Sequence, residues 1–230
     1  MDILKHFLFK VHKEGVIYIL GAAAISIVIC LIFNGVFLFF ALLTLAVALF
    51  FRDPDRTTPL GDNWVVAPAD GIVTAIESSG LPPEIEGVDG LYTRISIFLS
   101  VLDVHVNRVP ASGVIRQTYY HAGKFLSATL DKSSDENERQ TVLMETPEGK
   151  SLAFVQIAGL IARRIVCDLN VDDSVQAGDR FGIIRFGSRM DVYLPKGVTP
   201  QVIIGQRMIG GETILADLQN SGPARQGVKH

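Results

Sequence analysis

Phe181-Gly-Ile-Ile-Arg-Phe-Gly-Ser-Arg-Met-Asp-Val-Tyr-Leu-Pro195 is the stretch around which the chain is organised. Two apolar runs, Phe181–Phe186 and Met190–Leu194, flank Gly187, Ser188 and Arg189. A short Gly-containing break between strand-like runs predicts a β-hairpin. Gly-Ser occurs nowhere else in the chain. The pair is therefore either a turn or a bond that the protein cuts in itself.

Outward from this stretch the chain reads as more strands. Asp172–Asp179 is a polar turn leading into it, and Gln201–Ile204 with Gly210-Gly211 closes the domain. Trp64–Ile76 predicts strand, turn and strand around Pro68-Ala-Asp-Gly71. Residues 78–90 predict a surface loop, Tyr92–Leu99 a strand, Ser100–Pro110 an irregular segment and Gly113–Tyr120 a strand. Gly123–Lys132 predicts a short helix, and the charged run Asp131–Arg139 a solvated loop. Thr141–Glu145, Ser151–Gly159 and Ala162–Asp168 predict further strands. Many short strands at close spacing argue for a mainly β domain, a barrel or sandwich with few short helices. Ala67-Pro-Ala-Asp-Gly-Ile-Val and Val175-Gln-Ala-Gly-Asp-Arg-Phe-Gly-Ile-Ile resemble turn-and-strand phrases of hybrid lipoyl-like β-sandwiches. No Lys sits at a hairpin tip to carry a lipoyl-type cofactor, so that likeness is architectural.

The N-terminus differs. Val16–Phe33 and Val36–Phe51 are uncharged apolar runs separated by Asn34-Gly35, a strong turn signal. At about 1.5 Å per residue they reach roughly 24–27 Å, against a hydrocarbon core of about 30 Å. A helical hairpin follows, entering and leaving the membrane on one face, spanning or re-entrant. Lys5, Lys10 and Lys13 before it and Arg52 and Arg56 after it put that face on the cytoplasmic side of the cell membrane. A second apolar run at once after the first, with no small-x-small site, argues against a cleaved signal peptide. Residues 1–56 thus form an anchoring segment, 57–217 a β-domain and 218–230 a flexible tail.

Composition narrows the function. The chain has 230 residues, 48% of them hydrophobic, and a net charge of −3. So small a charge gives nucleic-acid binding no electrostatic support. Cys30 and Cys167 are far apart and form no C-x-x-C pair, and no metal cluster, P-loop or G-x-G-x-x-G is found. Cys167 reads as a small buried hydrophobe. Of five histidines, His6 and His12 flank the apolar runs and His230 is terminal. His105 lies in a segment dense in Asp, His, Asn and Arg, and His121 lies beside Tyr119 and Tyr120. Either could be structural or catalytic. Asp70 is a turn residue or a site residue.

Trp64-Val-Val-Ala-Pro-Ala-Asp-Gly71, Phe98-Leu-Ser-Val-Leu-Asp-Val-His-Val-Asn-Arg-Val-Pro110, Glu136-Asn-Glu-Arg139 and Phe186-Gly-Ser-Arg-Met-Asp-Val192 come in one order. Together, behind an N-terminal apolar segment, they resemble the phosphatidylserine decarboxylase family in its short form. The resemblance covers residues 50–217. It implies a carboxy-lyase made as a zymogen that cuts itself at 187/188, into a β chain 1–187 and an α chain 188–230. It implies that Ser188 attacks the Gly187 carbonyl and exchanges amide for ester. Elimination then leaves a dehydroalanine that hydrolyses to a pyruvoyl group, with loss of ammonia. Glycine leaves that carbonyl open. The pyruvoyl cofactor would take the amine of an aminophospholipid as a Schiff base, serve as the electron sink while CO2 leaves, and require no metal.

The resemblance also implies roles. Asp70 matches an acidic residue that orients a processing histidine, and His105 matches the histidine associated with protonation during decarboxylation. A second histidine of longer members is replaced here by Arg108. Either His105 serves both steps, which we prefer, or His121 or a water takes over. Asn107 and Arg108 could bind the lipid phosphate or carboxylate, or Arg108 a structural ion pair. The implied partners are the lipid, the bilayer and the two self-cut chains as a heterodimer, open to further dimerisation. An archaetidylserine decarboxylase and a non-enzymatic membrane-anchored β-adaptor are the alternatives.

Overall fold

Short apolar runs broken by Gly, Pro and Asp can bury their backbones only by pairing with one another, and the computed structural model is mainly β. It describes residues 10–33, 36–123, 137–159, 164–185 and 188–228. Two helices come first, α1 (Lys13–Ile32) and α2 (Phe37–Phe50). They pack against each other, with Ser26 Oγ 3.0 Å from Thr44 Oγ1. Asn34 and Gly35 lie outside the described residues. The 20 residues of α1 rise about 30 Å, enough by length and composition to cross a membrane. The 14 residues of α2 rise only about 21 Å. Their apolar side chains are largely exposed, Leu31 at 81% and Phe37 at 71%.

The strands are β1 (Trp64–Val66), β2 (Gly71–Ser79), β3 (Tyr92–Leu99), β4 (Val106–Arg108), β5 (Gly113–His121), β6 (Arg139–Glu145) and β7 (Ser151–Ala158). β8 (Ile165–Cys167), β9 (Ser174–Val175), β10 (Arg180–Ile184), β11 (Ser188–Leu194), β12 (Arg207–Met208) and β13 (Ile214–Asp217) follow. Among the described residues they form an eight-stranded sheet in the order β12-β2-β3-β11-β7-β6-β5-β9, a three-stranded sheet β4-β10-β8 and a pair β1-β13. One core joins all three sheets: Val65, Ile97, Phe154, Phe181, Met190 and Leu215 belong to it. A second apolar cluster lies on the other face of the large sheet, where Ile85 covers Leu143, Val155 and Tyr193. β6 and β7 are thus buried on both faces, and their sequences run apolar instead of alternating.

The quoted stretch is not a hairpin. β10 and β11 are consecutive, yet β10 pairs antiparallel with β4 and β8 while β11 pairs with β3 and β7. Both edges of each strand are taken, so neither can accept the other. Gly182 is needed for this: a Cβ there would stand 2.0 Å from the Val166 carbonyl oxygen of β8. Phe186 and Gly187, outside the described residues, join two different sheets. Period-2 patterning identifies a strand but does not name its neighbour.

Two further expectations change. Ser100–Pro110 contains the ordered strand β4, whose Asn107 and Arg108 are buried. The end of the expected solvated loop is also interior: Asn137, Glu138 and Arg139 are buried. Arg139 is held there by Glu84, with Nε 2.9 Å from Oε1, and a paired charge can be buried where a lone one cannot. The short helix expected at 123–132 lies, from 124 onward, outside the described residues.

Candidate active site

Position 188 opens β11, opposite Leu99 of β3 and Ala158 of β7. Next to it, Arg189 and Asp191 make a buried two-pronged pair, with Nε–Oδ1 and Nη2–Oδ2 both 2.9 Å. His105 precedes β4, and its carbonyl accepts a hydrogen bond from the Ile184 amide at 3.3 Å. That contact sets His105 beside the last residue of β10, four positions before 188. The imidazole is fully buried. Its Nδ1 lies 3.0 Å from the Asp103 carbonyl oxygen. A carbonyl only accepts, so Nδ1 carries the proton and Nε2 presents a lone pair. Burial pushes the imidazole pKa down to about 4, and the nearby Arg52 charge adds to the effect. At neutral pH His105 is therefore an uncharged base.

The helical pair makes part of this site. The Phe50 ring, at the end of α2, lies 4.2 Å from the His105 ring. Phe50, Phe51, Val104, Val106 and Ile183 form one apolar cluster, and burying five such side chains contributes on the order of 10 kcal/mol before entropy is counted. Charges lock the same joint. Arg180 Nε lies 2.7 Å from Asp53 Oδ2, and Arg185 donates to Glu14 of α1 and, at 2.7 Å, to the Tyr18 hydroxyl. Arg185 stands two residues before Gly187, so the segment entering the Gly187-Ser188 bond is tied to the apolar helix α1.

The other sequence candidates are distributed unevenly. Gly187 lies outside the described residues. Asp70 precedes β2, whose Gly71 is two strand spacings, roughly 10 Å, from position 188. Its carboxylate is taken by Arg56 Nη2, at 2.7 and 2.9 Å, and by the Gly210 amide at 2.8 Å; among the described residues no histidine bonds to it. Arg108 donates to the Gly178 and Pro54 carbonyls, each at 2.9 Å, with Asp53 at 3.6 Å. It thus occupies a structural ion-pair position. Asn107 is fully buried, and its Oδ1 accepts from Gln156 Nε2 at 2.9 Å. His121 is exposed at the end of β5, in the row His121–Arg139–Ile157–Arg189 across the sheet. That is three strand spacings, about 14 Å, from Arg189.

Some contacts of these residues, and the neighbour Gln156, were not read from the sequence. Asn107 Nδ2 and Gln156 Oε1 are buried with no hydrogen-bond partner among the described residues. Uncompensated buried amide atoms cost stability. Asn137 Nδ2 donates to the Ala158 carbonyl at 2.7 Å, and the Glu138 carbonyl accepts from the Ala158 amide. The Asn-Glu-Arg phrase therefore braces the strand beside position 188. A cavity of about 770 Å³ lies elsewhere, lined by Thr58, Leu60, Arg116, Glu145 and Gln176 among others. None of the candidate site residues lines it. Burial raises the Cys167 thiol pKa to about 11, which leaves it protonated and unreactive.

Comparison with known proteins assigns the class first: a decarboxylating lyase made as a precursor. The family model described as phosphatidylserine decarboxylase matches residues 43–216. A phosphatidylserine decarboxylase proenzyme of Paramagnetospirillum magneticum is 48% identical over 227 residues, covering 99% of this chain and 95% of that protein. The proenzyme of Ruegeria pomeroyi is 50% identical over 213 residues, 93% of this chain and 97% of its own. That of Rickettsia typhi is 50% identical over 211 residues, 91% of each. The chain belongs to the phosphatidylserine decarboxylase family.

Proposed function

We propose that this chain converts phosphatidylserine to phosphatidylethanolamine and CO2 at a membrane, using a carbonyl it makes from Ser188. The observation that carries the reading is the junction between β10 and β11. Each strand is held on both edges in its own sheet. A cut between Gly187 and Ser188 frees a new end on β11 without releasing either strand, and 1–187 and 188–230 stay together as a heterodimer. The family membership and the proenzyme names of the relatives favour this lipid over the archaetidyl and adaptor alternatives.

In the self-cut, Ser188 Oγ attacks the Gly187 carbonyl carbon, the peptide C–N bond breaks and an ester forms. His105 Nε2 takes the hydroxyl proton, passes it to the Ser188 nitrogen as the C–N bond breaks, and is then free as the base for the Ser188 α-proton. Loss of the α-proton expels Gly187 as a carboxylate, and water takes the nitrogen away as ammonia. The pyruvoyl so formed supplies an electron sink for the pair left behind by CO2. Two features fit it: β11 fixes the new end from both sides, and the Asn107 Nδ2 amide is buried nearby with a hydrogen to donate.

The chain's own groups do the rest. His105 Nε2 takes up the proton that the substrate ammonium gives up on binding and returns it to the carbon that has lost CO2. Phe50, with its ring 4.2 Å from the imidazole, keeps water off His105. Asn107 donates to the substrate carboxylate or to the scissile carbonyl. Asp70 acts as a positioning residue through Arg56 and the Gly210 amide. Arg108 and His121 hold surrounding structure. Lys10, Lys13, Arg52 and Arg56 gather at the base of the helical pair, which supports a β-domain on the cytoplasmic face of the cell membrane. Denaturing electrophoresis tests the reading: wild type should run as two chains and Ser188→Ala as one. A Ser188→Ala protein still cut at 187/188 would rule it out.

A further inference from the structure

The turn between β3 and β4 exposes apolar side chains, Val101 at 49% and Leu102 at 79%. Singly exposed leucines are ordinary; this one is built in place. Asp103 is buried and accepts from the Ser100 amide and hydroxyl at 2.9 and 2.7 Å, and Arg207 also pairs with it. Arg52, just beyond α2, joins the turn to the helical pair: its Nη1 donates to the Leu49 carbonyl at 2.7 Å and its Nη2 to the Leu102 carbonyl at 2.5 Å. The turn is thus fixed against the base of α2, with its apolar tip outward. Arg207, 65% exposed, closes the foot of the turn through its pair with Asp103. His105 follows three residues after Leu102.

We propose that the Val101–Leu102 turn enters the lipid layer beside the helical pair and is a second membrane contact, made by the catalytic domain itself. The proposal rests on the membrane-bound decarboxylase reading. Arg52 bonds the exposed apolar tip of the turn to the end of α2, whose apolar side chains are likewise exposed, and a lipid surface is the occupant that this adjacency fits. An arginine next to an apolar tip matches the headgroup region above an acyl layer. With two contacts instead of one, the domain cannot swing about the hairpin. His105 and position 188 are then held at headgroup depth, where the serine carboxylate of the substrate lies.

The test uses the full-length chain in phosphatidylcholine–phosphatidylserine vesicles with or without bromine on the acyl chains. In a Trp64→Phe background, single tryptophans are placed at Leu102, at Leu20 of α1 and at Leu91. Leu91 is 56% exposed and lies at the opposite end of β3, about 24 Å away. Leu102→Trp and Leu20→Trp should show blue-shifted emission quenched by bromine, and Leu91→Trp neither. Quenching at Leu20 without quenching at Leu102 overturns the inference and leaves the hairpin anchored. Quenching at neither overturns both. In a second arm, Leu102→Asp should self-cut normally and lose about tenfold in kcat/KM on vesicle-borne phosphatidylserine, yet keep its rate on a short-chain, water-dispersed phosphatidylserine. Equal loss on both substrates contradicts the proposal. A wild type that decarboxylates neither form sinks the enzymatic reading, while the quenching arm still decides the membrane contact.

Discussion

At one end of the paired strands β3 and β11, Thr93 faces Leu194, and the surroundings are apolar closure: Tyr92, Ile85 and Val198 pack there and no buried histidine is found. At the other end Leu99 faces Ser188, and the materials change. A buried neutral histidine, unpartnered amide atoms, an Arg189–Asp191 pair and the base of two apolar helices meet within a few residues. The first end needs only hydrophobic area. The second holds polar groups at a cost in stability, and function is the return. The helical pair docks at this costly end. It walls the candidate site.

The contrast can be broken by mutation. The largest effect should come from His105→Ala, which removes the base: self-cutting should slow by roughly 10²- to 10⁴-fold, measured as the rate at which precursor disappears on a gel. Cutting at the wild-type rate would show that another base acts. Phe50→Ala should follow. It costs about 3 kcal/mol of stability in denaturant unfolding and admits water to His105. The rate of self-cutting in wild type should fall as pH drops through about 4; in Phe50→Ala the fall should begin near the ordinary histidine value of about 6.5. Phe50→Leu should keep most of the wild-type profile.

The same histidine makes a stability prediction. Its folded pKa is depressed, so the folded state resists protonation while the unfolded chain accepts it below about 6.5. Stability is full above that pH and is lost as pH falls toward about 4, by up to roughly 3 kcal/mol. His105→Gln should flatten that acid slope in urea titrations, and an unchanged slope would assign it to other groups. A smaller contrast lies between ion pairs. Asp70 and Arg56 are 15% and 14% exposed, and Asp70→Asn should cost about 2 kcal/mol. Asp55 and Lys10 are 70% and 67% exposed, and Asp55→Asn should cost much less. Equal losses would mean that Asp70 has no special setting.

Much of the β-domain was legible because its signals are local. Tyr92–Leu99 alternates and is flanked by turn residues, and β3 has those same bounds. The apolar runs around Asn34-Gly35 became two helices for the same reason. His105 stood out by the density of polar residues around it. Partnership was not legible. Phe181–Leu194 looked like a hairpin because nothing in its own residues reveals that β4, β8, β3 and β7 already occupy every edge. Phe50 on His105 joins residues 55 positions apart, and Arg56 on Asp70 links the segment after α2 to a turn. Charged residues after α2 looked like a topology signal; Asp53 and Arg56 also dock the helices. Asn137–Arg139 looked solvated because the partners that pay for its burial, Glu84 and Ala158, lie far along the chain.

The central claim is that the junction between the two sheets is cut so that β11 begins with the catalytic carbonyl. Intact-mass measurement of the small chain from purified protein tests it directly. The expected result is a fragment of residues 188–230 whose first residue is pyruvoyl. An uncut chain of 230 residues, or a small chain that begins with an ordinary serine, would contradict it.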